Sequence, residues 1–342
     1  MSLKNLSVKT KIRKNLINKL KNKKINLIYR KFEKSLNINE NFVVAVSGGP
    51  DSLALAYLSK VYSIKNGLKV KFLTVDHKLR PESTLEANLV KRILKKNFIS
   101  SKILTWNSRK SIKITQSLAR KKRLELLFAE CDKLRIKNIL LGHHLDDLFE
   151  NFFIRLLRGS GLKGLISLDK KTKFKNKNLL RPLLDFQKKD LIFLSKKVFN
   201  FYVKDPTNED NSYKRIRIRK LMSELQKDGL DKQKFLKTIN NLKNSNTLIK
   251  FYVKKNIEKN SFYISKINKL ILNKKFFQQP YEVIFRSIIE LITLIGGRFY
   301  PPRGKKIDKI IKDIHNNRHI KVTLGGSIIE KVNQTVILSK EH

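Results

Sequence analysis

Apolar residues recur along this chain with two different spacings, and the switches between them mark the elements. FVVAVSG (42–48) is a short β-branched run that reads as a buried strand, and SLALAYLSKVY (52–62) follows at once as a helix. The alternation then repeats. KVKFLTVDH (69–77), SKILTW (101–106) and NILLGHH (138–144) read as strands. STLEANLVKRILKKN (83–97), the long stretch 111–135 and DDLFENFFIRLLRGS (146–160) read as helices. Strands alternating with helices of this length predict an α/β fold with a parallel sheet covered on both faces. Ligands of such sheets bind beyond the carboxyl ends of the strands. That rule directs attention to 47–52, 76–80, 106–110 and 143–147.

The flanks read differently. Residues 1–40 are expected to form a basic helical N-terminal extension, 41–225 the sheet domain, and 226–342 a mostly helical C-terminal domain. After Gly161 the pattern loosens, and LDKKTKFKNKN (168–178) reads as a charged, solvated loop. Helices are expected at 187–199 and 212–227, and then mostly helix to about 316. The closing stretch, HIKVTLGGSIIEKVNQTVILSKE, predicts a β-hairpin that turns at Gly325-Gly326.

Composition narrows the class. With 342 residues, 41% of them hydrophobic, the chain has ample material for a core. Its apolar runs fall far short of the roughly 18 residues that cross a bilayer, and the basic N-terminus lacks a continuous apolar segment. No membrane partner is expected, and the reading is cytoplasmic. A single cysteine, Cys131, excludes an internal disulfide framework and any Cys-x-x-Cys site. Lysine and arginine total 76 against 28 acids, a net charge of +48. Drift toward lysine and asparagine codons would also enrich glutamate, yet acids stay scarce. The excess charge points to a polyanion partner, RNA or DNA.

Ser47-Gly48-Gly49-Pro50-Asp51-Ser52 sits between the first strand and the first helix. Two glycines allow a bulky anion to approach the backbone, and the helix start offers free N–H groups and a positive dipole end. Asp51 would repel a bare phosphate, so it must serve Mg²⁺ or the reacting end of a nucleotide. The stretch is neither a Walker loop nor a dinucleotide fingerprint. It resembles the Ser-Gly-Gly-x-Asp-Ser loop of the ATP pyrophosphatases, the PP-loop family, which splits ATP into AMP and pyrophosphate.

Further segments resemble one branch of that family, the tRNA(Ile)-lysidine synthases. Val75-Asp76-His77-Lys78-Leu79-Arg80 with Pro81-Glu82-Ser83 is similar to their VDHxLRxES segment; locally it also reads as a helix cap on Ser83 with Glu86 three residues on. Ala119-Arg120 with Arg123 matches an Ala-Arg-x-x-Arg element. His143-His144-Leu145-Asp146-Asp147-Leu148-Phe149-Glu150 is similar to their His-His-x-Asp-Asp-x-x-Glu, with Gly142 before it and Asn151 where the family carries threonine. Arg158-Gly159-Ser160-Gly161, Arg181-Pro182-Leu183-Leu184 and Asp205-Pro206-Thr207-Asn208 with Tyr213, Arg215, Arg217 and Arg219 extend the likeness, which covers about 42–220. Asp147 and Glu150 stand three residues apart, on one helix face. A zinc site from His143, His144 and the acids lacks a cysteine or third histidine, so none is expected.

The resemblance implies a PP-loop fold of the adenine nucleotide α-hydrolase kind and a ligase that forms a carbon–nitrogen bond. It would adenylate C2 of the wobble cytidine, position 34, of tRNA(Ile) with a CAU anticodon, using ATP and Mg²⁺. Free L-lysine would then displace AMP to give lysidine, changing codon reading from AUG to AUA. It implies ATP held by Ser47, Gly48, Gly49, Pro50, Asp51 and Ser52, with Asp51 on Mg²⁺. Lysine would sit on Asp147 and Glu150, and Arg120 and His143 would act near the adenylate. Arg158, Arg215, Arg217 and Arg219 would contact tRNA. The alternatives are another PP-loop tRNA-modifying enzyme, such as a thiolase, or a non-catalytic RNA-binding relative.

Overall fold

The structure, a computed structural model, describes residues 15–341 apart from 79–80, 107–115, 175, 204–213 and 299–301. Leu79, Arg80, the 107–110 part of the third strand end, Asp205–Asn208 and Tyr213 lie outside the described residues. The chain divides into two compact units, Met1–Gly229 and Leu230–His342.

In the first unit a six-stranded sheet runs in the order β3-β2-β1-β4-β6-β5. Its strands are β1 (Phe42–Ala45), β2 (Val70–Asp76), β3 (Ser101–Thr105), β4 (Asn138–Leu140), β5 (Lys171–Phe174) and β6 (Lys177–Leu180). β1 lies at the centre, parallel to β2 through Phe42↔Val70 and to β4 through Phe42↔Asn138. That position explains its unbroken run of Phe-Val-Val, which is buried on both faces. The chain steps from β1 through β2 to β3 on one side, then returns to lay β4 on the other. The order reverses between β1 and β4, which is where open α/β sheets form a crevice.

Helix α1 (Lys23–Ser35) buries Ile25, Ile28, Tyr29 and Phe32 in the same core as α2 (Pro50–Lys65). The basic N-terminal segment is thus integrated into the unit, with Leu16 and Leu20 ahead of α1 in the same core. α2 is nearly all buried, from Ser52 to Ser63 with Lys60 the exception, so it is a core helix and not an amphipathic surface one. α3 (Ser83–Lys96), α4 (Gln116–Lys133), α5 (Leu145–Leu156), the single turn α6 (Leu162–Leu165), α7 (Lys188–Phe199) and α8 (Lys214–Lys227) complete the unit.

Two expectations change here. Residues 168–178 are not a solvated loop: β5 and β6 form an antiparallel hairpin, and β6 pairs in parallel with β4. Lys177 hides the signal. It is 4% exposed, yet its ammonium reaches the Ile136 carbonyl and the Asp132 carboxylate, so a charged residue occupies a buried strand position. The expected cap on Ser83 is also absent. α3 starts one residue earlier in role, with Glu82 as N-cap, and the Ser83 hydroxyl donates to Asp76 Oδ1 instead.

The second unit begins with α9 (Lys232–Asn260), capped by Asp231, whose carboxylate accepts from the amides of Gln233 and Lys234. Its five-stranded antiparallel sheet has the order β7-β8-β11-β10-β9. β9 (Lys321–Leu324) and β10 (Ser327–Val332) form the hairpin expected around Gly325-Gly326. β11 (Thr335–Lys340) adds to it, and β7 (Ser261–Ile264) and β8 (Lys269–Leu272) continue the sheet inside a region that reads as helical. These two strands have only four residues each. β8 finds its second partner in β11, near the chain end, so no local pattern announces it. α10 (Tyr281–Gly296) and α11 (Gly304–His315) contribute Ile284, Ile288, Ile292, Ile307 and Ile311 to a core shared with Leu272, Ile329 and Leu338 of the sheet.

Candidate active site

After β1 the chain turns through Ser47, Gly48 and Gly49 into α2. Gly48 has φ +92°, and a Cβ there would stand 2.4 Å from Val90 Cγ2. Both the backbone conformation and the lack of room demand glycine. Gly49 is the N-cap and Pro50 opens the helix, where its missing N–H costs nothing. Ser52, buried in the first turn, ties the loop together. Its hydroxyl accepts from the amides of Ser47 (3.2 Å) and Gly48 (3.1 Å) and donates to the Gly49 carbonyl (3.0 Å). The result is a tight strand-to-helix turn with the open start of α2 at its rim, the geometry that favours anions.

The loop after β4 presses against this turn. An added Cβ on Gly142 would meet Ser52 Cα and N at 3.3 Å, so the small residue lets the two backbones touch. His144, 2% exposed, is the N-cap of α5. Its Nδ1 accepts from the Asp146 amide (3.2 Å), while the Asp147 carboxylate accepts from the His144 amide (2.9 Å), a reciprocal cap. With Nδ1 accepting, the neutral ring carries its proton on Nε2. That atom lies 3.6 Å from Asp51 Oδ2 and 3.6 Å from Asp147 Oδ2. Lys188 Nζ, at the start of α7, lies 3.8 Å from the same Asp51 oxygen. Asp51 Oδ1 is buried with no hydrogen-bond partner among the described residues.

Burial pushes the Asp51 carboxyl above the usual carboxylate range, against the pull of His144 and Lys188. Asp147 goes the other way. Burial alone would raise it, but His144, His143, the His144 amide and Arg215 together hold it low. Two carboxyls at one site thus have divergent proton affinities, as acid–base sites do.

One turn along α5, Glu150 is 2% exposed and faces α8. Its Oε1 accepts from Arg219 Nε at 2.5 Å, while Oε2 is buried without a hydrogen-bond partner among the described residues. Burial pushes Glu150 up, and Arg219 opposes the shift. Around the acids stands a cationic group. Burial and Arg120 lower the Arg181 guanidinium to about 10; it also donates to the Asp169 carbonyl and Thr172 Oγ1. Arg123 donates to His77 Nε2 at 3.2 Å. Burial holds both His77 and His143 at about 4, so both are neutral near pH 7.

Asp51, His143, Asp147 and Glu150 therefore gather at the ends of β1 and β4, with the field of Arg215 acting on His143, Asp147 and Glu150 and that of Arg120 on His143. Arg219 belongs to this group through Glu150. Arg158 and Arg217 are exposed. Among the described residues no group of three or more His, Cys, Asp or Glu gathers as a metal cage. Asp76 serves the loop itself, since its carboxylate accepts from the Lys78 amide and the hydroxyls of Ser83 and Thr84. Sequence reasoning assigned no role to His144 beyond the rejected zinc set, and it passed over Lys188, one lysine in a chain crowded with them.

Comparison with known proteins bears on the family and the fold. A family of PP-loop domains matches residues 17–225. The tRNA(Ile)-lysidine synthase of Orientia tsutsugamushi (strain Boryong) is 33% identical, over 89% of this chain and 70% of that protein. The tRNA(Ile)-lysidine synthase of Wolbachia pipientis wMel is 30% identical over 89% and 71%. Among solved structures, the U34-tRNA thiolase NcsA of Methanococcus maripaludis, with its [4Fe-4S] cluster, superposes with a TM-score of 0.56 at 18% identity. It covers 64% of this chain and 78% of that one, a likeness of fold.

Proposed function

The chain belongs to the tRNA(Ile)-lysidine synthase family, and from that premise we propose how its own residues divide the work. The reaction joins lysine to the wobble cytidine of tRNA(Ile) and consumes ATP. The C2 oxygen of cytidine is a poor leaving group. In the proposed course it attacks the α-phosphorus of ATP, and pyrophosphate departs. The ε-amine of lysine then attacks C2, and the bond to oxygen breaks with AMP as leaving group. A wobble base lies in a single-stranded loop, so it can be splayed into a pocket at modest cost.

The observation that carries the division of roles is the meeting of Asp51, His144 and Asp147 where the two loops touch. The turn from Ser47 to Ser52 holds the pyrophosphate portion of ATP. Asp51 Oδ1, buried and without a hydrogen-bond partner among the described residues, fits Mg²⁺, which takes one or two carboxylates and completes its shell with phosphates and water. When bound, that ion supplies charge neutralisation on the departing phosphates. Asp147 and Glu150 hold the lysine ammonium, whose ordinary pKa is about 10.4. Glu150, raised by burial, is suited to accept a proton from it before attack. His143 and Arg120 stand by the adenylate, and Arg158, Arg215 and Arg217 meet the tRNA backbone.

The unit from Leu230 onward adds further basic surface for the same RNA. No described helix is long and apolar enough to cross a membrane. The reading sets the enzyme in the cytoplasm with its substrates. A sulfur-transfer chemistry is disfavoured, since the one cysteine, Cys131, is buried and its thiol is pushed up to about 12.

The test is an incubation of the full chain with ATP, labelled L-lysine and a tRNA(Ile) transcript bearing CAU. The expected result is stable label in RNA with one AMP per lysine joined. AMP release without label, or no turnover, would overturn the reading.

A further inference from the structure

The proposed phosphate-binding turn has a charge problem of its own. Pyrophosphate leaves with several negative charges, yet Ser47–Ser52 contributes only neutral donors, and its single ionisable side chain is the acid Asp51. A helix dipole offsets only about half a charge. One divalent ion on Asp51, itself partly offset by that carboxylate, would not balance pyrophosphate, so a further cation from outside the turn is required.

We infer that Lys188 is a pyrophosphate-binding residue, paired with Asp51 beside the turn. The inference rests on the assignment of Ser47–Ser52 to ATP. Lys188 is the first residue of α7 and its Nζ lies 3.8 Å from Asp51 Oδ2. α7 cannot drift from the turn, because Leu191 and Leu194 are fully buried in the core that contains Leu53 and Leu55 of α2. The acid in the first turn of α7 itself, Asp190, reaches Lys24 instead, at 3.7 Å. Asp51 thus faces Lys188 while Asp190 is engaged elsewhere.

Geometry and exposure suit a residue that changes partners. At 3.8 Å the contact with Asp51 is a charge pairing and not a hydrogen bond, so little is lost on leaving it. The Lys188 side chain is 39% exposed on a flexible stem, whereas the Asp51 side chain is only 21% exposed. A lysine is a compact point charge with three donors, suited to a phosphate that enters at variable angles. Lys188 and His144 share Asp51 Oδ2. When the β- and γ-phosphates arrive, the ammonium turns to them and restores charge balance at the turn.

Calorimetric titration of the full chain with inorganic pyrophosphate tests this. Lys188→Ala is expected to weaken binding roughly tenfold or more, the usual cost of losing a charged hydrogen bond. Lys188→Arg should stay within about threefold. AMP binding should be unaffected, because AMP lacks the departing phosphates. Lys189→Ala removes the same charge one residue away and controls for attraction to a basic protein in general; it should leave pyrophosphate affinity unchanged. Wild-type binding that Lys188→Ala does not alter, or an equal loss in Lys189→Ala, overturns this inference alone. A wild-type chain that binds no pyrophosphate overturns it together with the assignment of the turn.

Discussion

Asp51 and His144 come from loops more than ninety residues apart in sequence, yet Asp51 Oδ2 lies 3.6 Å from His144 Nε2. The imidazole is held at its other nitrogen by the Asp146 amide, so its proton points to the acids and not away. The pair joins the Ser47–Ser52 turn to the helix that carries Asp147 and Glu150.

Asp51→Asn keeps the shape of the turn and removes the charge. We expect lysine joining to fall by about 100-fold or more, the scale of losing a charged group at a reacting centre. Affinity for tRNA, measured by filter binding, should hold within about twofold. Turnover close to wild type would remove Asp51 from the chemistry.

His144 has two functions that can be separated. His144→Ala loses the cap of α5 and should lower stability by about 1 kcal/mol in urea denaturation. His144→Asn keeps a side-chain acceptor for the Asp146 amide and should recover most of that stability. It cannot reach both carboxylates, so activity should stay low. Full activity in the asparagine variant would reduce His144 to a cap.

Glu150→Gln should raise the lysine KM by roughly tenfold, with the ATP KM little changed. Arg219→Ala leaves a buried carboxylate without its partner and should cost about 1–3 kcal/mol of stability. Combining the two substitutions should restore part of that loss, because no unpaired charge remains. Additive losses would show that the residues act independently.

His77 and His143 are each held at about 4, chiefly by burial, with Arg123 repelling a proton at His77. The unfolded chain takes up these protons near pH 6.5, and the folded chain does so only near pH 4. Stability is therefore full above about 6.5 and falls as pH drops through that window. His77→Gln, which can still accept from Arg123, should flatten the decline in Tm between those limits. An identical decline would show that His77 does not contribute.

Arg158 and Arg217 are exposed and read as phosphate contacts. Replacing either with alanine should weaken tRNA binding at low salt and reduce the slope of log affinity against log salt by about one. An unchanged slope would exclude that arginine from the RNA surface.

The sequence determined those features whose physical cause is local. A β-branched run followed by Ser-Gly-Gly-Pro-Asp-Ser can only be a strand that turns sharply into a helix, since Gly48 takes φ +92° and Pro50 suits a first helical position. The spacing of Asp147 and Glu150 placed both on α5, and the charge balance pointed to a polyanion. Tertiary structure decided what depends on partners distant in sequence. The β5–β6 hairpin was hidden by Lys177, whose ammonium is satisfied only because Asp132 and the Ile136 carbonyl fold against it. β7 and β8 are too short to declare themselves before β11 pairs with β8. Arg219 reads in sequence as one more basic residue, and packing of α8 on α5 makes it the partner of Glu150. Lys188 is the same case, since a lysine acquires a specific role only from the acid beside it, and no periodicity records which acid that is.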